Sequence, residues 1–242
     1  MQVDFILQGK GGVGKSLIAS LLSQHYGSRE LMPVCIDTDP VNATFAGYKA
    51  FGAEALTIME GDEINPRAFD QLVERLIEQG ENGRHVAVAD NGASTFVPLC
   101  SYMIQNGVVP LLAEAGHSVR FHTVITGGQA FLDTLQGFVS LASNFPNVPL
   151  VVWINEYFGK AEHNGKSFEE TKAYRDHADR VHALVTVPGV KPETFGHDMN
   201  KMITRRLTFA EAEASPDFGL MERQRLRMMW RNLQAQMDRA CL

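Results

Sequence analysis

Residues 9–16 read Gly-Lys-Gly-Gly-Val-Gly-Lys-Ser, directly after an apolar run at 3–7. The spacing fits G-x-x-x-x-G-K-[ST], a loop whose backbone N–H groups cradle phosphate oxygens. Glycine lets that backbone curl inward, and a helix beginning here adds the positive end of its dipole. The backbone of Gly11, Gly12, Val13, Gly14, Lys15, Ser16 and Leu17 is then the nucleotide cradle. Lys15 reaches the β- and γ-phosphates, and the Ser16 hydroxyl ligates Mg²⁺. Two acidic stretches suit the same cation. The run 34–36 ends in Asp37-Thr38-Asp39-Pro40, and the run 85–89 ends in Asp90-Asn91-Gly92-Ala93. Carboxylates at strand carboxyl ends beside a phosphate loop hold Mg²⁺ through its waters. Asp90 sits where a Walker B acid would, and Gly92 frees the next loop to sense the γ-phosphate.

Positioning such groups needs strands that end together. Buried runs at 3–7, 34–36, 85–90, 150–154 and 181–187, with an alternating run at 119–125, are interleaved with amphipathic helical patterns. That alternation predicts an α/β fold: a mostly parallel sheet flanked by helices in three layers, as one domain over 1–242. A weaker strand is expected at 56–59. Asn65-Pro66 opens a helix that Gly80 ends, and 96–112 reads as two short helices. Thr126-Gly127-Gly128 reads as a tight turn into a long helix ending near Phe145. Ser167-Phe168-Glu169-Glu170 is a capping box starting another helix, and the last helix runs from about Leu220.

Hydrophobic residues at 45%, charged residues at 21% and a net charge of −6 describe an ordinary globular chain and exclude wholesale nucleic-acid binding. Cys35, Cys100 and Cys241 lack paired spacing, so an iron–sulfur carrier is disfavoured and Cys35 and Cys100 read as buried thiols. No signal-peptide pattern and no apolar stretch of membrane-spanning length is visible, which gives a cytoplasmic expectation. Lys201, Arg205 and Arg206 read as a solvated face. The last helix carries an apolar stripe of Leu226, Met229, Trp230, Leu233 and Met237 among arginines. Such a helix can lie on an anionic membrane, but docking on its own domain is the preferred reading.

With Lys10 included, the string Lys10-Gly11-Gly12-Val13-Gly14-Lys15-Ser16 resembles the deviant Walker A loop of the MinD/ParA ATPase superfamily. The resemblance implies a homodimer closed on ATP, with Lys10 crossing to the partner's phosphates. It also implies that Asp37 holds a magnesium-bound water and that Asp39 orients the attacking water. Asn155, after a late strand, would contact the adenine edge, and the turn at Pro188 would touch adenine through its backbone. No Asn-Lys-x-Asp signature is present, so ATP is expected rather than GTP.

A closer resemblance is spread over nearly the whole length. Residues 7–16, 35–45, 90–94, 126–130, 162–168 and 206–209 look like the TraL family of conjugative plasmids. This implies a Mg²⁺-dependent, slow, partner-stimulated ATPase of conjugative transfer. Its partner would be a conjugation or plasmid-maintenance protein, with DNA reached through that partner. The alternatives are a ParA-type partition ATPase, a module that binds nucleotide without turnover, and a small-molecule phosphotransferase or ligase.

Overall fold

The computed structural model describes the backbone of residues 1–242 and every side chain but that of Phe158. In chain order the strands are β1 (Gln2–Ile6), β2 (Val34–Asp37), β3 (Glu54–Ala55), β4 (Met59–Glu60), β5 (Glu63–Ile64) and β6 (Val86–Asp90). Then come β7 (Ser118–Thr126), β8 (Leu150–Asn155), β9 (Glu162–His163), β10 (Lys166–Ser167) and β11 (Val181–Val187). Seven of them form one sheet in the order β11-β8-β7-β1-β6-β2-β3. Every neighbouring pair is parallel. The glycine-rich loop therefore leaves the middle strand, and Asp90 leaves the strand beside it.

The helices are α1 (Lys15–Ser28), α2 (Ala68–Glu81), α3 (Phe96–Gln105), α4 (Val108–Glu114), α5 (Phe131–Asn144), α6 (Lys172–His177), α7 (His197–Thr204), α8 (Phe209–Ala214) and α9 (Leu220–Arg239). Strand alternation sorts the core into two layers. Val3, Phe5, Ala87, Ala89 and Phe121 face α2, α3, α4 and α5. Ile6, Val88, Val124, Val151 and Trp153 face α1, α7, α8 and α9. The apolar stripe of α9 docks on this second layer, with Leu226, Met229, Leu233 and Met237 buried and Trp230 stacked on Phe209. No single helix among the described residues is long and apolar enough to cross a membrane.

Several local expectations shift. The strand expected at 56–59 is instead β3 followed by the β4–β5 hairpin, because Asp37 carbonyl pairing with Leu56 N–H is where the sheet edge stops. Asn65 stands two residues before the N-cap, Arg67, its side chain accepting from Arg67 N–H (2.9 Å), and α2 runs one residue past Gly80. The Ser167 capping box forms, but on a single 3₁₀ turn, Phe168–Glu170; α6 has its own cap in Thr171. The Gly127-Gly128 turn packs against the carbonyls of Gly159 and Lys160. Lys201 pairs with Glu222, and Arg205 with Asp217.

Candidate functional site

The loop after β1 is anchored before it begins. Gln8 is fully buried and its amide donates to the carbonyls of Val124 (2.9 Å) and Thr134 (3.1 Å). Gly14 then turns the chain into α1 with φ +100°, a conformation that side chains strain to adopt. A Cβ there would also lie 2.8 Å from Asn155 Nδ2. Gly11, Gly12, Gly14, Lys15, Ser16 and Leu17 line a cavity of about 470 Å³, and Asp39 lines it too. Val13 is buried beneath the loop.

Lys15 is buried at the cavity floor, where Nζ donates to the Lys10 carbonyl at 3.0 Å. Burial lowers its pKa, against the pull of Asp90 and Asp39. Asp90 ends β6 directly opposite Ile6 and Asp37 in the sheet register. It is 1% exposed, and neither carboxylate oxygen has a hydrogen-bond partner. Burial pushes it up to about 7, the Ser16 hydroxyl and Lys15 opposing and Asp37 reinforcing. Asp37 is also buried; its two oxygens accept from the Asp39 N–H (3.0 Å) and the Ala46 N–H (2.8 Å). Burial raises its pKa as well, partly offset by those two backbone donors.

No cluster of three or more His, Cys, Asp and Glu side chains among the described residues is arranged to hold a metal alone. Mg²⁺ does not require one, since it binds through one or two carboxylates, waters and substrate phosphates. A wholly buried carboxylate with two unpartnered oxygens, beside a serine hydroxyl and a phosphate loop, fits that chemistry. Ser16 and Asp90 would hold the ion, with Asp37 behind them.

The two acidic loops are tied together. Thr38 and Thr95 both donate to Asn91 Oδ1, at 2.8 and 2.6 Å. Gly92 lies flush against Asp39, where a Cβ would come within 2.9 Å of the carboxyl carbon. Any shift of one loop is therefore felt by the other. Neither Asn91 nor Thr38 stood out in the sequence as more than a turn residue, and only tertiary proximity gives them this role.

Three further expected site residues make contacts of their own within the chain. Lys10 turns toward α5 and forms a 2.7 Å ion pair with Asp133, both side chains about half exposed (44% and 55%). Asp133 carried no signal in the sequence beyond an acid in a first helical turn. Asn155 is buried, its Nδ2 donating to the Val13 carbonyl (2.9 Å) and its Oδ1 accepting from the Tyr157 N–H (3.1 Å). Its amide thus braces the loop. Pro188 follows β11, half-buried, and does not line the loop cavity.

Known proteins show the same architecture. The MinD cell division protein of Aquifex aeolicus matches with TM-score 0.50 at 13% identity, over 97% of each chain. In the MinC:MinD complex of that organism the match reaches TM-score 0.55 at 12% identity, over 97% of this chain and 96% of that one. At such identities the likeness concerns the fold. No protein-family model matches the chain. Two proteins of Escherichia coli, each described as Protein TraL, are 50% and 49% identical over 242 residues, covering 100% of this chain and 99% of each relative. Identity at that level over the full length of both chains places this chain in the TraL family.

Proposed function

We propose that the chain binds Mg·ATP, hydrolyses it slowly, and uses nucleotide state to control self-association and contact with a partner in plasmid conjugative transfer, in the cytoplasm. The observation carrying this reading is Asp90, a buried carboxylate with two unpartnered oxygens at the foot of a Gly-Lys-Ser phosphate loop. The fold and the TraL kinship support a phosphate-loop protein acting in conjugation.

The loop amides and Lys15 take the phosphates; burial strengthens each of these contacts. Mg²⁺, when bound, supplies charge neutralisation at the β- and γ-phosphates. Asp39, at the cavity wall, orients the attacking water. That water forms the new bond to the γ-phosphorus as the bond to the β-phosphate oxygen breaks, leaving ADP and phosphate. Lys10 leaves Asp133 and crosses to the γ-phosphate of a second copy. The Asn91 bridge carries the change at the γ-phosphate from one acidic loop to the other, and so to the partner surface.

Calorimetry with Mg·ATP tests the binding, and phosphate release tests the turnover. Lys15→Ala should abolish uptake, whereas Asp39→Ala should keep it and lose at least about tenfold in phosphate release. Solution mass without nucleotide, with ADP and with Mg·ATP tests the switch; doubling with ATP should vanish in Lys10→Ala. Folded protein that takes up no Mg·ATP would end this reading. Uptake without phosphate release under any partner condition would leave a nucleotide-binding module.

A further inference from the structure

A cavity of about 500 Å³ opens at the carboxyl end of α1, bounded also by residues 31–33, residues 50–51, the start of α8, and α9. It is separate from the loop cavity. From Leu17, which lines the latter, to Gly27, which lines this one, is roughly 15 Å of helix at 1.5 Å per residue. Its size falls in the range of small-molecule sites. Leu31, Met32, Pro33, Phe51 and Trp230 give it an apolar wall, and no lining residue is charged.

The polar side chains of that wall are committed inside the chain. Ser23 and Ser28 donate to the carbonyls of Ala19 (2.9 Å) and His25 (2.7 Å). Gln24 accepts from the Phe209 N–H (2.8 Å) and donates to the Ser20 hydroxyl (3.0 Å). Thr208 closes a capping box with Glu211. The exception is Trp230, whose indole N–H bonds to none of the described residues. Both aromatic walls are fixed by their own neighbours. Trp230 stacks on Phe209 (5.1 Å between centroids), and Phe51 stacks on the buried ring of Tyr48 (5.6 Å). Fixed walls lower the ordering cost of binding. Gly27 keeps the space open. It is a poor helix former inside α1, yet a Cβ there would meet nothing within 4 Å, so no crowding demands a glycine. Met32, 70% exposed, leaves a flexible apolar side chain in water beside it.

We propose that this cavity is a binding site for one small, uncharged, planar ring molecule that carries a hydrogen-bond acceptor for Trp230. Burying apolar rings against Trp230, Phe51 and Met32 supplies the affinity. A charged ligand would give up its hydration to a wall that offers no counter-charge. A strongly polar one would leave its own donors and acceptors unmet, save at the one free indole N–H. The site stands independently of the Mg·ATP reading, since α1 reaches the loop cavity with its other end.

The test is NMR of the full chain with 2-acetylnaphthalene and 2-isopropylnaphthalene, probes that differ in a carbonyl oxygen against a methyl group. The chain has two tryptophans, and the Trp153 N–H already donates to His122, so its indole signal is the internal control. 2-Acetylnaphthalene should move the Trp230 N–H signal downfield and leave that of Trp153 in place. The isopropyl probe should bind about threefold to tenfold more weakly, the worth of one hydrogen bond. Gly27→Leu fills the cavity and should weaken binding of the acetyl probe at least about tenfold. Trp230→Phe keeps the ring on Phe209 and should bring the two probes within about twofold of each other in calorimetry. Thermal unfolding checks that both variants keep the fold. No movement of the Trp230 signal with either probe would overturn the site, as would unchanged binding to Gly27→Leu. Equal movement of both indole signals would mean general adhesion to apolar surface. A Trp230 signal that moves with protein concentration alone would give the cavity to a second copy of the chain instead.

Discussion

Helix α1 has a cluster of buried charge at each end. At its carboxyl end Tyr26 meets Asp4, Arg120, His122 and Trp153, all of them 8% exposed or less. Arg120 donates to Asp4 Oδ1 through Nε (2.9 Å) and to Oδ2 through a terminal nitrogen (3.3 Å), Tyr26 donates to the same Oδ2, and Arg120 also donates to the Tyr26 hydroxyl. Trp153 N–H donates to His122 Nδ1 (2.9 Å), which leaves the imidazole proton on Nε2, 3.2 Å from Asp4 but off the line of a good hydrogen bond. At the amino end of α1, Asp90 has no partner and Lys15 makes do with a backbone carbonyl. Burial is the same at both ends; partnership is not. Charges that a fold buries for its own stability come with their hydrogen bonds, because leaving them unpaired costs several kcal/mol. A buried acid left open is a place made for something else.

The pKa directions carry the same contrast. Burial alone would raise Asp4, but His122 and Arg120 outweigh it and hold the carboxyl well below the usual range. Its contribution to stability is therefore present above about pH 4 and is lost as acid is added below that. Asp90 runs the other way: its value near 7 lies above the ordinary 3.8. The folded chain then binds that proton more tightly than the unfolded one, so stability falls as pH rises from about 4 to about 7.

The same substitution at the two acids should consequently act with opposite sign. Asp4→Asn strands Arg120 without its counter-charge and should cost about 3–5 kcal/mol in urea unfolding. Nucleotide affinity of the protein that remains folded should change by less than about twofold, because Asp4 lies at the far end of α1. Asp90→Asn should instead stabilise the protein by about 1–3 kcal/mol at pH 8 in Mg²⁺-free buffer and flatten its pH slope. It should also lose at least about tenfold in Mg²⁺-dependent ATP affinity. Equal destabilisation by both would erase the distinction. Smaller still is Trp153→Phe, which leaves His122 Nδ1 without its donor and should cost about 1–2 kcal/mol. Burial lowers the His122 pKa, and losing that donor should raise it, as an NMR titration of the ring would show.

Only one of these clusters was legible in the sequence. The phosphate loop, Asp37, Asp39 and Asp90 are short-range patterns, each an unusual residue at the end of an apolar run, and the parallel sheet follows from the spacing of those runs. Asp4 and His122 look like polar interruptions in alternating strands, and nothing local links them to Tyr26 or Trp153. Asn155 was legible as a residue at a strand end, but its bonds to Val13 and Tyr157 depend on how two distant turns meet. The β4–β5 hairpin escaped because two-residue strands have no period to read. Sequence patterns report what a residue can do; the partner that claims it is a property of the fold.

Between the two clusters in character stands the ion pair of Lys10 and Asp133 at the rim. Both groups are about half exposed, at 44% and 55%. Solvent screens such a pair to about 0–1 kcal/mol, so its loss should scarcely register in unfolding. That weakness matters for the proposed switch. A lysine held by several kcal/mol would not leave for a phosphate in another subunit, whereas one held by less than RT or so exchanges freely. Asp133→Asn should therefore leave the urea midpoint unchanged within error and shift ATP-dependent self-association by no more than about threefold, toward the dimer. A large loss of stability would mean that the pair belongs with Asp4 and Arg120 as scaffold. A shift away from the dimer would mean that Asp133 helps to form the interface it was taken only to release.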